Sequence, residues 1–160
     1  MSLEIERKFL VTSLPEAMDR YPHEPIIQGY VVVGADGSEV RLRRKGQKCF
    51  ATVKMGRGEV RSELEIELTA TQFDTLWEAT SGRRIEKTRY EVPHAGRIVE
   101  VDVYHGELDG LVIAECEFAS AEESRRFVPP EWLGGEVTGD PDYKNQSLAL
   151  HGRPRRPFET

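Results

Sequence analysis

Ionisable and apolar residues alternate along much of this chain, and that alternation restricts the folds it can adopt. The pattern is clearest in residues 60–68, where acidic residues occupy every second position: Glu63, Glu65 and Glu67. Side chains of a β-strand point alternately to its two faces. This spacing therefore predicts a strand with one charged face and one apolar face.

Eight segments show this extended pattern. They are residues 3–11, 26–33, 39–45, 49–55, 60–68, 83–92, 97–105 and 111–119. Turn residues such as Gly34, Asp36 and Gly37 separate neighbouring segments, which favours hairpin connections. Capping residues and helical spacing predict short helices over residues 71–81, 121–127 and 144–151. Residues 15–25, with three prolines, are predicted to be a loop.

One face of the predicted strands collects nearly all of the ionisable residues. Its acidic members are Glu4, Glu6, Glu63, Glu65, Glu67, Glu100, Asp102, Glu115 and Glu117. Its basic members are Lys8, Arg41, Arg43, Lys54, Lys87 and Arg89. Two interpretations fit this pattern: an antiparallel sheet with one solvated face, or a barrel with the charged face inside.

The barrel accounts for two features that a solvated sheet does not. Solvated faces usually mix Thr, Ser, Gln and Asn among the charges, and closure removes the exposed edges of a sheet. The predicted fold class is α+β, mainly β: a closed eight-stranded antiparallel barrel with a charged interior and helices packed on the outside. The residues alone leave the solvated sheet open as the alternative. Residues 1–152 are expected to form a single domain, and residues 153–160 a disordered tail.

Composition limits the classes of partner. A chain of 160 residues with 31% charged residues fits one domain, and its net charge of −6 argues against general binding to nucleic acid or membrane surfaces. No apolar run is long enough to span a bilayer, and the start of the chain lacks a signal-peptide pattern. Two cysteines are too few for a disulfide framework. We expect a cytoplasmic monomer or homodimer.

A cavity lined by both signs of charge requires a ligand that satisfies both. Crowded carboxylates have raised pKa values, and crowded lysines have lowered ones. A polyphosphate with divalent cations relieves both groups, because Arg and Lys bind phosphate oxygens while carboxylates bind Mg²⁺ or Mn²⁺. Phosphoryl transfer uses the same division of roles.

These residues also form an ordered set of motifs that resembles the CYTH superfamily, the triphosphate tunnel metalloenzymes. The motifs are E-x-E-x-K (Glu4, Glu6, Lys8), R-L-R (Arg41, Arg43), T-V-K (Lys54), E-L-E-I-E (Glu63, Glu65, Glu67), E-K-T-R-Y (Lys87, Arg89), E-V-D-V (Asp102), A-E-C-E-F (Glu115, Glu117) and Y-K-N (Lys144). They cover nearly the whole chain. The short form, with Q-G-Y near position 30, is most similar to the stand-alone bacterial inorganic triphosphatases.

The resemblance implies a tunnel that binds a triphosphate with a divalent metal. Its implied phosphate ligands are Lys8, Arg41, Arg43, Lys54, Lys87 and Arg89. Its implied metal ligands are Glu63, Asp102, Glu115 and Glu117, with Glu65 a weaker member and with Glu4 and Glu6 holding a second metal or orienting the attacking water. Glu67 and Glu100 are interpreted as ion-pair partners that balance charge.

The predicted activity is metal-dependent hydrolysis of inorganic triphosphate to pyrophosphate and phosphate, with Mg²⁺ or Mn²⁺ as cofactor. Two assignments of the catalytic base stay open: Glu4 or Glu6 orienting water, or Lys87 acting with Tyr30. Tyr30 can equally be an ordinary lining aromatic. The alternative functions are a hydrolase or cyclase for an organic triphosphate, such as thiamine triphosphate or ATP, and a non-catalytic polyphosphate-binding module.

Overall fold

The computed structural model describes residues 5–56 and 62–155. Its strands are β1 (Ile5–Val11), β2 (His23–Val33), β3 (Glu39–Lys45), β4 (Lys48–Met55), β5 (Ser62–Leu68), β6 (Arg84–His94), β7 (Arg97–Tyr104), β8 (Val112–Phe118) and β9 (Leu133–Glu136). Its α-helices are α1 (Ala70–Trp77), α2 (Ala121–Arg126) and α3 (Asn145–His151). Short 3-10 turns lie at Met18–Arg20, Glu78–Thr80, Gly106–Leu108 and Pro141–Tyr143.

All of the strands belong to one antiparallel sheet, in the order β5-β4-β3-β2-β6-β7-β8-β1-β9. The eight predicted strands are confirmed, with shifted ends. The largest shift is in β2, which begins at His23 inside the segment predicted to be a loop. The ninth strand was not predicted, because Gly134 and Gly135 interrupt any alternation in its four residues.

The mainly β, α+β fold is confirmed, but among the described residues hydrogen bonds do not close the sheet into a barrel. Within residues 5–56 and 62–155, β5 lies at one edge and β9 at the other. Both strands have features that disfavour further pairing: β5 carries an acidic residue at every second position, and β9 is only four residues long. The sheet is nevertheless curved enough for one face of β1 to β8 to line a single cavity.

Two helices cover the convex face of the sheet, as predicted. Thr69 caps α1 in a capping box with Gln72, and Phe73 of this helix packs against Leu42 and Cys49. Ser120 caps α2, and Phe127 at its end packs against a second apolar cluster on strands β6, β7 and β8.

The third helix differs from the prediction, because it packs on the concave side. Leu148 of α3 joins a buried cluster with Ile85, Tyr104 and Ile113. In their strands these residues share a face with ionisable positions, since Ile85 precedes Lys87 by two residues. Helix α3 therefore closes one end of the concave face with an apolar plug.

A close backbone approach fixes β2 against the segment after α1. A Cβ atom on Gly29 would lie 2.6 Å from the side chain of Thr80 and 2.8 Å from that of Trp77. Glycine at this position therefore lets β2 contact the 3-10 turn directly, and the neighbouring Tyr30 is directed to the concave face. No helix among the described residues has the length and apolarity needed to cross a membrane.

Candidate active site

The concave face of the sheet bounds a cavity of about 490 Å³. Its lining residues are Glu6, Lys8, Tyr30, Gly37, Glu39, Arg41, Arg43, Lys54, Glu63, Arg89, Glu100, Glu115, Glu117, Lys144, Asn145 and Gln146. Ten of the predicted site residues are among them. The fold therefore brings alternating positions from eight separate strands into one place.

A basic wall is formed by Arg41 and Arg43 of β3 and by Lys54 of β4. Burial lowers the pKa of Arg43, and the charges of Arg41 and Arg89 lower it further. Burial and the charge of Arg41 also lower the pKa of Lys54. The repulsion among these cations indicates that the protein neutralises them incompletely, so this wall favours an anionic ligand.

Hydrogen bonds from β2 orient the basic wall. Nε of Arg43 donates to Oε1 of Gln28 at 2.7 Å, and Nε2 of Gln28 donates to the Tyr30 hydroxyl at 2.8 Å. Burial, followed by the charge of Glu39, raises the pKa of Tyr30 to about 12. The Tyr30 side chain is therefore a neutral phenol at physiological pH, and it can still donate its own hydroxyl proton.

An acidic wall lies across the cavity on β1 and β8. Glu6 is opposite Glu117 in the β1–β8 pair, and Lys8 is opposite Glu115, with 3.7 Å between Nζ of Lys8 and Oε1 of Glu115. Partial burial of its carboxylate, the nearby Glu115 and Glu117 charges and a hydrogen bond with Glu115 raise the pKa of Glu6 to about 7, against the effect of Lys8. Glu6 is exposed at the mouth of the cavity, so solvent moderates this shift. The excess of carboxylates favours a cation on this wall.

A buried ion triad lies behind the lining. Nζ of Lys87 donates to Oδ2 of Asp102 at 2.7 Å, and Nε of Arg89 donates to Oδ1 of Asp102 at 2.8 Å. The Lys87 and Asp102 side chains are 0% and 1% exposed. Burial would raise the pKa of Asp102, but Lys87 and Arg89 outweigh it and lower that pKa to about 2. Burial lowers the pKa of Lys87.

Two of the predicted site residues, Lys87 and Asp102, belong to this triad and lie behind the cavity wall. Lys87 and Asp102 do not line the cavity; they contact it through Arg89, which does. Nη1 of Arg89 also lies 3.1 Å from Oε2 of Glu100, which is the ion pair expected for that glutamate.

The remaining predicted residues are on or beyond the cavity edge. Glu63 lines the cavity and is opposite Lys54 in the β4–β5 pair. Glu65 is exposed and accepts a hydrogen bond from Thr52 at 3.2 Å, outside the lining set. Glu4 lies outside the described residues.

Sequence reasoning missed three polar lining residues. Glu39 shares a strand face with Arg41, so the alternation rule could have found it. Asn145 and Gln146 could not be found in this way, because they lie at the start of α3, whose placement on the concave side was not predicted.

Known proteins align with this chain over almost its whole length. An inorganic triphosphatase from Nitrosomonas europaea is 46% identical over 149 residues, which cover 92% of this chain and 97% of that protein. The chain belongs to the inorganic triphosphatases of the CYTH superfamily. A second inorganic triphosphatase, from Acetivibrio thermocellus, is 38% identical over 151 residues, which cover 92% of this chain and 94% of that protein. No family model matches the chain.

Solved structures support the same family. The crystal structure of an inorganic triphosphatase aligns with a TM-score of 0.81 and 43% identity, covering 96% of this chain and 99% of that one. A candidate adenylyl cyclase from Hippeastrum, described as having a dominant triphosphatase activity, aligns with a TM-score of 0.51 and 18% identity. The alignment covers 77% of this chain and 83% of that one. The second likeness shows a shared fold only. The CYTH resemblance of the ordered motifs is confirmed by these relatives.

Proposed function

We propose that this chain hydrolyses inorganic triphosphate to pyrophosphate and phosphate in the concave cavity. The observation that carries the proposal is the arrangement of a basic wall and an acidic wall around one space of about 490 Å³. The names of the two relatives, at 46% and 38% identity, support the same substrate. The charged residues that alternate along the strands thus form a site for a phosphate chain together with its counter-cations.

Phosphate oxygens are assigned to the basic residues. Lys8, Arg41, Arg43, Lys54 and Arg89 line the cavity and can donate to them directly. A guanidinium can donate two parallel hydrogen bonds to one phosphate, which fixes its orientation as well as its charge. Lys87 supports this set from behind, since its ion pair with Asp102 also holds the carboxylate that binds Arg89.

The acidic wall fits a divalent cation, which we propose to be Mg²⁺ or Mn²⁺. Glu6, Glu115 and Glu117 supply carboxylate oxygens, the ligands that these ions prefer, and Glu63 of β5 lines the same cavity. Among the described residues, no three His, Cys, Asp or Glu side chains already surround one point as metal ligands. An ion such as Mg²⁺ is usually held by one or two carboxylates together with substrate phosphates and water. When bound, the ion would neutralise charge on the phosphate chain.

We assign a role to each predicted metal ligand according to whether its side chain lines the cavity. Glu6, Glu63, Glu115 and Glu117 are the proposed protein ligands because they line the cavity. Asp102 is fully engaged with Lys87 and Arg89, so its proposed contribution is to position those cations. Glu65 would reach the site only after moving from Thr52.

Substrate preference and metal dependence are tested by one panel of assays. Phosphate release from inorganic triphosphate, ATP and thiamine triphosphate should be measured with Mg²⁺ or Mn²⁺, and again with excess chelator. We expect triphosphate to be hydrolysed with a kcat/KM at least about 100-fold above that of ATP, a ratio equivalent to losing one or two well-placed polar contacts. Chelation should abolish turnover. Faster hydrolysis of an organic triphosphate, or cyclic AMP from ATP, would overturn the substrate assignment.

The catalytic base is tested by a pair of variants. Glu6 lines the cavity and can orient water there, whereas Nζ of Lys87 is buried and hydrogen-bonded to Asp102. We therefore prefer Glu6 to Lys87 for the water-orienting role. Because Glu6 also belongs to the proposed metal set, we expect Glu6→Gln to lower kcat by about 100-fold or more. A Lys87→Ala variant that keeps full turnover would remove the alternative in which Lys87 acts with Tyr30. If Lys87→Ala loses turnover while Glu6→Gln keeps it, the assignment is reversed.

A further inference from the structure

The basic wall contains one carboxylate with no role in the site described above. Glu39 of β3 shares the concave face with Arg41 and Arg43, and it is opposite Lys54 in the β3–β4 pair. It is 9% exposed. A carboxylate buried among cations that bind a polyanion should weaken that binding, so its presence requires an explanation.

The two carboxylate oxygens of Glu39 have different surroundings. Oε1 accepts a hydrogen bond from Nε2 of Gln146 at 3.2 Å, and the same amide lies 3.4 Å from the carbonyl oxygen of Gly37. Oε2 is buried and has no hydrogen-bond partner in the part of the chain that the structure describes. The nearest cationic group, Nη1 of Arg41, is 3.6 Å from it. Nε of Arg41 is likewise buried without a partner among these residues.

Buried polar atoms without partners are rare, and they often mark a functional position. Here they occur in adjacent side chains at the boundary between the cation row and helix α3. Along the concave side of β3, Arg43 and Arg41 are followed by Glu39, each about 7 Å from the next because two residues separate them. The row of cations on β3 therefore ends in a negative charge, with Lys54 of β4 opposite it in the strand pair.

We propose that Glu39 is a specificity-determining residue that limits the bound phosphate chain to three phosphates. This inference rests on the proposed triphosphatase function. A triphosphate can occupy the cations up to Arg41 and Lys54, which line the cavity. A fourth phosphate extending along the same row would approach the Glu39 carboxylate, which Gln146 holds in place, and would be repelled.

Two other roles for Glu39 fit the surroundings less well. A metal-ligand role is disfavoured, because Arg41, Arg43 and Lys54 would repel a divalent ion at this position. A role only in orienting Arg41 is disfavoured, because the contact between the two side chains is 3.6 Å and leaves Nε of Arg41 without a partner among the described residues.

The test is the chain-length preference of Glu39→Gln, an isosteric change that removes the charge and replaces one carboxylate oxygen with an amide NH2 group. We expect kcat/KM for inorganic tetraphosphate to rise at least about ten-fold relative to that for triphosphate. Calorimetric titration of triphosphate and tetraphosphate into each protein gives the corresponding ratio of binding affinities. The ratio can then be read even if the unmodified protein does not turn over triphosphate, a result that would refute the proposed function separately.

Glu67→Gln is the matched control. Glu67 is on the same sheet and carries the same charge, but it lies outside the cavity lining, so the ratio should not change. Gln146→Ala provides a second route, because it frees the Glu39 carboxylate to move and should raise the tetraphosphate ratio in the same direction. An unchanged ratio in folded Glu39→Gln would overturn the proposal. A parallel loss of tri- and tetraphosphate turnover would also overturn it, since that indicates a catalytic or structural role.

Discussion

Replacing both Glu115 and Glu117 with glutamine should reduce triphosphate turnover by at least about 100- to 1000-fold, the range found when a group that stabilises developing charge is removed. Both side chains line the acidic wall, and their negative charge is the basis for placing a divalent cation there. Glutamine keeps the volume and the strand geometry, so the change removes charge and little else. The measurement is steady-state phosphate release over a range of Mg²⁺ concentrations.

The same variant separates an enzyme from a protein that only binds polyphosphate. Fewer negative charges in the cavity should leave the affinity for triphosphate unchanged or increase it, because Arg41, Arg43 and Lys54 remain. Affinity can be measured by calorimetry in the presence of chelator. Intact affinity with lost turnover supports the enzyme, and the same phosphate release as in the unmodified protein would exclude these carboxylates from the reaction. Glu67→Gln again serves as the charge-matched control.

Much of this cavity could be predicted because strand periodicity determines which face a side chain occupies. A two-residue repeat placed Glu6 and Lys8 on one face of β1 and Glu115 and Glu117 on one face of β8, and pairing in register brings those faces together. The register of the paired strands adds which residues lie opposite each other, and the sequence alone does not give this. It sets Glu6 opposite Glu117 rather than Glu115, and it sets Lys54 opposite Glu63.

The features that were not predicted depend on contacts between segments far apart in the chain. The position of α3 on the concave side is fixed by packing of Leu148 against Ile85 and Tyr104, and no local pattern in residues 144–151 reports that choice. An amphipathic helix shows which of its faces is buried, but it does not show which surface buries it. The link between Gln146 and Glu39 follows from this placement, so it was also hidden.

Alternation also cannot distinguish a residue that lines the cavity from one buried behind the lining. Lys87 and Arg89 occupy the same strand face, yet the structure buries Lys87 completely and leaves Arg89 at the cavity. The difference arises because α3 and its apolar cluster close the cavity at the level of Ile85 and Tyr104, next to Lys87. The charge pattern predicted that Lys87, Arg89 and Asp102 belong to the site. Packing determines that only Arg89 of these three can contact the substrate.

The triad should also carry much of the stability of this region, and Asp102→Ala tests that. The substitution leaves Lys87 and its ammonium group fully buried without their counter-charge. Removing one partner of a buried ion pair typically costs about 3–5 kcal/mol, so the free energy of unfolding should fall by roughly that amount. Urea unfolding at neutral pH, followed by circular dichroism, measures it. For comparison, Glu122→Ala removes the exposed Glu122–Arg126 ion pair of 2.6 Å and should cost no more than about 0.5 kcal/mol.

The pH dependence of unfolding gives an independent reading of the same group. The pKa of Asp102 is about 2 in the folded protein, below its ordinary value of 3.8, so the unfolded chain binds a proton first as the pH falls. Its stabilising contribution is therefore complete above about pH 4 and is lost as the pH falls towards 2. The unmodified protein should lose more stability across that interval than Asp102→Ala does. If the two proteins lose the same amount, or if Asp102→Ala is no less stable at neutral pH, the buried carboxylate does not hold Lys87 and Arg89 in the way that the geometry indicates.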